Sequence, residues 1–186
     1  MSTKDIIISS ADELVRTKGY NAFSFKDISA NVGIRTASIH YHFPTKTDLG
    51  VAVIKDHIHR FDVLKTQLSR KSPLVKLQGF LNMYAQIIAE NKVCLVGSLA
   101  TDLHTVEEPI KKELKKFAQQ VLSWVTEIVT EGKQQGVFEF QVLPRTKALL
   151  IITNVLAIAQ LSRLTSVNDF DIVKAAILKE LRPQKP

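Results

Sequence analysis

The sequence predicts an all-α chain. Its 186 residues hold only seven glycines and six prolines. No alternation of polar and apolar residues runs long enough for a strand, and apolar residues recur at spacings of three and four along most of the chain. A content of 45% hydrophobic and 23% charged residues is ordinary for a globular protein, with length for one sizeable core or two small coupled ones.

A first helix runs from about Thr3 to Lys18, with Ile7, Ala11, Leu14 and Val15 on its buried stripe and Gly19 as its stop. A second begins at Phe25. Ser24 is placed to cap it, Asp27 stands three residues on as in a capping box, and Phe23 is spaced to staple onto Ile28. Phe25, Ile28 and Val32 form its inward stripe, while Lys26, Ser29 and Asn31 stay wet. Gly33 supplies the left-handed turn, Ile34 plugs it, and a short third helix follows. Arg35, Thr36, Ser38 and Tyr41 fall on the polar side of that helix, and Ala37 and Ile39 vary between wall and core. Pro44 ends it. A short helix that is basic at its start suits entry into a major groove, with Thr36 and Ser38 as candidates for base edges and Lys46 for a phosphate.

A long fourth helix starts near Thr47, carries Leu49, Val53, Ile54, Ile58, Phe61 and Leu64, and ends by Ser72-Pro73, where a fifth begins with Leu74, Leu77, Leu81, Tyr84 and Ile88. Cys94 to Leu103 reads as a short sixth helix. Pro109 opens a long seventh with the stripe Leu114, Phe117, Val121, Trp124 and Ile128, ended by Gly132 and Gly136. Pro144 opens an eighth reaching about Thr165, and Asn168 or Asp169 caps a ninth that Pro183 ends. From Ala148 to Leu161 the eighth helix is apolar around nearly its whole circumference, so in a soluble chain it must be covered on every side. An isologous homodimer supplies that cover, with Leu150, Val155, Ala157, Ile158, Leu161, Val173 and Ile177 of helices eight and nine in a four-helix interface. That stretch falls short of the roughly 20 residues of a membrane span.

The motif Ala11-x-x-Leu14-Val15-x-x-x-Gly19-Tyr20, then Asp27-Ile28-Ser29-x-x-Val32-Gly33-Ile34, then Ile39-x-Tyr41-His42-Phe43-x-x-Lys46-x-x-Leu49 closely resembles the N-terminal domain of TetR-family transcriptional regulators over about 45 residues. The resemblance implies an all-helical homodimer whose N-terminal helices bind operator DNA and whose divergent C-terminal domain binds a small effector that weakens that binding. Residues 1–46 then form the helix-turn-helix domain and 47–186 the effector-binding and dimerisation domain, with helix 47–70 linking them. The DNA-contacting set is Ser24, Lys26, Arg35, Thr36, Ser38, His40, Tyr41, Thr45 and Lys46. Relatives usually carry Ser or Thr in place of Arg35 and Tyr in place of His40. With the third helix starting at Thr36, Arg35 is left to reach a phosphate or a guanine.

The effector site is expected among helices five to seven. Phe80, Met83, Tyr84, Ile87, Leu99, Phe117, Val121 and Trp124 are its apolar wall, His104 stands at its mouth, and Asn154, with Thr153 and Gln160, supplies polar orientation. Such a wall suits a hydrophobic or aromatic effector. Cys94, beside Lys92, is either a buried packing thiol or a sensor of thiol-reactive compounds. One cysteine excludes an intrachain disulfide and fits a reducing cytoplasm, and the N-terminus shows no signal-peptide pattern.

The net charge of +7 suits nucleic acid, although residues 1–60 hold eight basic against six acidic side chains. His40, His42, His57 and His59 cluster, but alternation by two does not put metal ligands on one helix face. No metal or cofactor is expected. No Gly-rich phosphate loop, Ser-His-Asp pattern or paired cysteine motif supports an enzyme. A helical sensor or adaptor without DNA is the alternative, separated from a DNA reader by the salt dependence of DNA affinity.

Overall fold

The computed structural model describes residues 2–183, and among them every regular element is helical. The nine α-helices there are α1 (Thr3–Lys18), α2 (Phe25–Val32), α3 (Thr36–His42), α4 (Lys46–Leu68), α5 (Pro73–Ala89), α6 (Leu95–Thr101), α7 (Glu108–Gln134), α8 (Pro144–Leu161) and α9 (Asn168–Glu180), with a 3₁₀ turn at Tyr20–Ala22. The expected class and order hold. Met1 and residues 184–186, the outer ends of the expected domains, lie outside the described residues.

Packing divides the chain elsewhere than at residue 46. Among the described residues, one unit takes the chain up to Asp62 together with Lys92–Phe117; the other takes Val63–Asn91 and the residues from Ala118 onward. The reason lies in how α1 ends. Gly19 turns the chain at φ 93°, and its N–H closes on the Val15 carbonyl. That carbonyl also accepts from Ser98 Oγ at 2.7 Å, and the Arg16 carbonyl accepts from the Val93 N–H at 3.1 Å. Arg16 Nε returns a bond to the Val93 carbonyl at 2.9 Å. Tyr20 N–H donates to Asp102 Oδ2 at 3.2 Å, and Asn21 Nδ2 donates to Thr105 Oγ1 at 2.8 Å. Val93 thus satisfies the Arg16 carbonyl at the helix terminus, and Ser98 of α6 adds a second bond to the Val15 carbonyl. Gly50 of α4 seals the same unit: a Cβ there would lie 2.8 Å from Ile110 Cδ1 and 3.0 Å from the Tyr20 ring.

A buried ion cluster fastens α1 to α4. Asp12 holds Arg16 Nη1 at 3.2 Å, His57 Nε2 at 2.5 Å and Arg60 Nη2 at 3.8 Å. Arg60 bonds Asp56 at 2.8 Å, and the His57 ring lies 6.3 Å from that of Phe117.

In the second unit Pro73 occupies the first turn of α5, as expected, and Leu77, Phe80, Leu81, Tyr84 and Ile88 are buried along it. Helix α7 does not stop at Gly132. It runs through to Gln134, and Gly136 at φ 68° turns the chain after it. Gly132 is there for space: a Cβ would fall 2.0 Å from Phe138 Cδ2. Gly132→Ala should therefore cost about 2 kcal/mol by overpacking, despite alanine's better helix propensity, and lower Tm by about 5 °C. Calorimetry checks this, and an unchanged Tm would show that the ring moves aside freely.

Three further boundaries differ from expectation. Helix α6 is shorter, because Cys94 precedes it as the cap, its Sγ accepting from the Gly97 N–H at 3.2 Å. Helix α8 stops at Leu161, leaving Thr165 in the following turn. Neither Asn168 nor Asp169 caps α9: both lie within it, and Asp169 Oδ2 accepts from Thr165 Oγ1 at 2.6 Å.

Candidate nucleic-acid interface

The reader is built from caps. Asp27 Oδ2 accepts from the Ser24 N–H at 2.7 Å and from Ser24 Oγ at 2.6 Å, and these bonds hold the Asp27 carboxyl below the usual range. Gly33 ends α2 at φ 74°, ψ 28°, with its N–H on the Ser29 carbonyl. Ser29 is not simply wet: its hydroxyl donates across the turn to the Ile34 carbonyl at 2.5 Å. Arg35 is the extended residue before α3, which begins at Thr36. Phe43, in the extended conformation that a following proline favours, stops it.

Ile39 is wholly buried and fixes the rotation of α3. Arg35, Ala37, His40 and Tyr41 are exposed, Tyr41 to 84%, whereas Thr36, Ser38 and His42 are half-buried. The outward face therefore contains Ala37, which sequence reading left undecided, and gives Thr36 and Ser38 its flanks. A methyl group on a groove-facing helix is suited to contact with a thymine methyl.

His40 Nδ1 lies 3.3 Å from the Pro44 carbonyl oxygen, and its ring meets Phe25 edge-on at 4.8 Å. Three other expected contact residues carry structural bonds. Ser24 is tied up as above. Thr45 Oγ1 accepts from the Asp48 N–H at 3.1 Å while Asp48 Oδ2 accepts from the Thr45 N–H at 3.0 Å, a capping box for α4. Lys46 Nζ donates to the Phe23 carbonyl at 2.5 Å and lies 4.4 Å and 4.6 Å from the centres of the Phe23 and Tyr20 rings. Burial pushes the Lys46 pKa down, with Asp102 and Asp27 pulling the other way. Its ammonium braces the turn. Lys26 is exposed in the first turn of α2.

The other expected sets separate. In the second unit Phe80 packs edge-on against Tyr84 at 5.3 Å and Trp124 at 6.4 Å, with Val121 buried and Met83 and Ile87 half-buried. In the first unit Cys94 and Leu99 are buried, and Phe117 packs on Phe61 at 5.8 Å. His104 and Asn154 are exposed, as are Thr153 and Gln160, so α8 turns its polar groups outward. A cleft of about 360 Å³ on the second unit is lined by Phe140, Val142, Lys147, Leu150, Glu180 and Arg182, none from the expected effector set.

The dimer set needs correction. Val155, Ile158 and Ile177 are 1%, 7% and 5% exposed within one subunit, so they belong to its own core. Val173 is half-buried, and Leu150, Ala157 and Leu161 face outward.

Two short helices joined at a left-handed glycine, the second with an exposed face, on an all-helical body define a helix-turn-helix DNA-binding transcriptional regulator. Residues 7–53 match the family model described as bacterial regulatory proteins, tetR family. The chain is 33% identical to a TetR transcriptional regulator from Legionella pneumophila, with 98% of each chain covered and a TM-score of 0.88. It belongs to the TetR family. It is also 26% identical to an uncharacterised HTH-type transcriptional regulator in the lacX 3′ region of Lactococcus lactis subsp. lactis, over 96% of this chain and 94% of that one. With IcaR, the HTH-type negative transcriptional regulator of the biofilm operon icaADBC in Staphylococcus aureus, it shares 25% identity over 61% of this chain and 68% of the other. Among the described residues, no helix is long and apolar enough to cross a membrane.

Proposed function

We propose that the chain is a homodimeric repressor that reads a palindromic operator with α3 and is released by a small hydrophobic or thiol-reactive effector. The observation that carries this reading is the outward face of α3, held by Ile39 beneath it and by caps on both sides. Arg35, His40 and Tyr41 project with Ala37, Thr36 and Ser38 flank them, and Lys26 and Lys46 serve the phosphates together with the backbone N–H groups near Ser24 and Thr45. Residues 1–46 are the DNA-binding part and 47–186 the effector and dimer part, with α4 continuous from one to the other. Repression, rather than activation, is favoured by the negative regulation that IcaR's name states for that protein.

For the dimer, Leu150, Asn154, Ala157, Leu161 and Leu164 stand exposed at steps of four and three along and beyond α8, and Ile172 is 66% exposed on α9. That row is a seam for a symmetry mate. The effector is taken up against Phe80, Tyr84 and Trp124; His104 and Asn154, being exposed, have no part in it. Effector binding favours a dimer geometry in which α4 holds the two heads out of register with successive major grooves. The thiol-reactive arm rests on Cys94, and a Cys94→Ser variant released as before by every thiol-reactive compound would remove it.

The test is selection of bound duplexes from a random pool, then a screen for compounds that release them. A palindrome with half-sites about one helical turn or more apart is expected, with affinity falling steeply as salt rises. No enriched sequence would refute the reading.

A further inference from the structure

We infer that His40 is a base-reading residue, held as a hydrogen-bond acceptor for the exocyclic amino group of an adenine or a cytosine. The inference rests on the reading of α3 as the DNA-contacting helix and adds the chemistry of one position.

A carbonyl oxygen only accepts, so the bond between His40 Nδ1 and the Pro44 carbonyl requires the proton on Nδ1. In the neutral ring, Nε2 is then left with a bare lone pair. Two features fix where that lone pair sits. The edge-on contact with Phe25, at 4.8 Å and 66° between planes, sets the ring from one side. The Pro44 carbonyl sets it from the other, and the proline ring and the Thr45–Asp48 capping box immediately after it constrain that carbonyl. His40 is exposed on the same outward face as Ala37 and Tyr41.

An acceptor aimed at DNA has few partners. Phosphate oxygens, guanine O6 and N7, and thymine O4 all accept, and none of them gains by meeting Nε2. In the major groove, only adenine N6 and cytosine N4 donate. In the neutral ring with its proton on Nδ1, Nε2 has nothing to offer a phosphate, and the geometry assigns His40 a base. An imidazolium would reverse this preference, presenting N–H at Nε2 and selecting guanine.

Duplex selection with the wild-type chain and with His40→Asn tests the assignment. Asparagine retains a donor near the Nδ1 position for the Pro44 carbonyl but has no atom at Nε2. The wild type should select adenine or cytosine at one position in each half-site, by about tenfold over the alternatives. His40→Asn should lose preference at that position while the rest of the selected motif is retained. A second measurement uses only wild-type protein: an operator in which that one base lacks its exocyclic amino group should bind about tenfold more weakly. Guanine at that position, an identical motif from both proteins, or full affinity for the amino-deleted operator overturns the inference. If the wild type enriches no sequence at all, the DNA reading itself fails and this one with it.

Discussion

Replacing Asp12 with asparagine should lower the unfolding free energy by about 3 kcal/mol, the scale expected when one partner of a buried ion pair loses its charge. Asp12 is 7% exposed and Arg16 5%, and the Nη2 of Arg16 already lacks a partner. The substitution leaves that guanidinium buried with no anion. One acceptor oxygen then remains for His57 and Arg16 together, so the effect reaches from α1 into α4. Burial alone would push the Asp12 carboxyl up. The hydrogen bond from His57 and the charges of His57, Arg16 and Arg60 outweigh it and hold the pKa at about 2, against an ordinary 3.8. A carboxyl whose folded pKa lies below its unfolded one contributes its full stability above about pH 4 and loses it as pH falls towards about 2. Denaturant titrations should accordingly find a wide gap between wild type and Asp12→Asn near neutrality that narrows between about pH 4 and 2. A gap that stays constant down to about pH 2 would contradict the ion cluster.

Glutamate at Ala157 or Leu161 should dissociate the dimer and weaken binding to a two-half-site operator by roughly 100-fold or more, since a lone head forfeits the effective concentration of its twin. Both side chains are exposed within the subunit, Leu161 to 51%, so the substitutions leave its own core intact. Ile158→Glu would not be an equivalent probe, because that side chain is buried in the subunit and its replacement would unfold it. Sedimentation velocity reads the first effect and DNA titration the second. A dimer unchanged in sedimentation for both variants would show that the seam lies elsewhere.

What was legible in the sequence follows from how local each signal is. Gly19, Gly33, Pro44 and Pro73 stop or start helices through the conformation of a single residue, and α1 to α5 begin within a residue of expectation. The Thr45-x-x-Asp48 box was equally local, and reading it would have revealed Thr45 as a cap. Helix α8 is different. Apolar on nearly every side, it has no polar face to set its phase, so the expected interface mixed core residues such as Val155 with outward ones such as Leu161. Polar Asn154 was assigned inward for the same lack of phase. The spacing of Asp12 and Arg16 by four residues hints at a pair, but His57 lies 45 positions away and only the fold brings it to Asp12. Which side of α3 faces out follows from Ile39, wholly buried on a helix that packs against α2.

The termination of α1 by Val93, Ser98, Asp102 and Thr105 has a consequence for the order of assembly. The groups that close the hydrogen bonds of the reading head are synthesised some 80 residues after it. Until they emerge, the Arg16 carbonyl has only water and the Tyr20 N–H lacks its carboxylate. A fragment that stops before Val93 therefore lacks the partners that the end of α1 and the turn after it have in the whole chain.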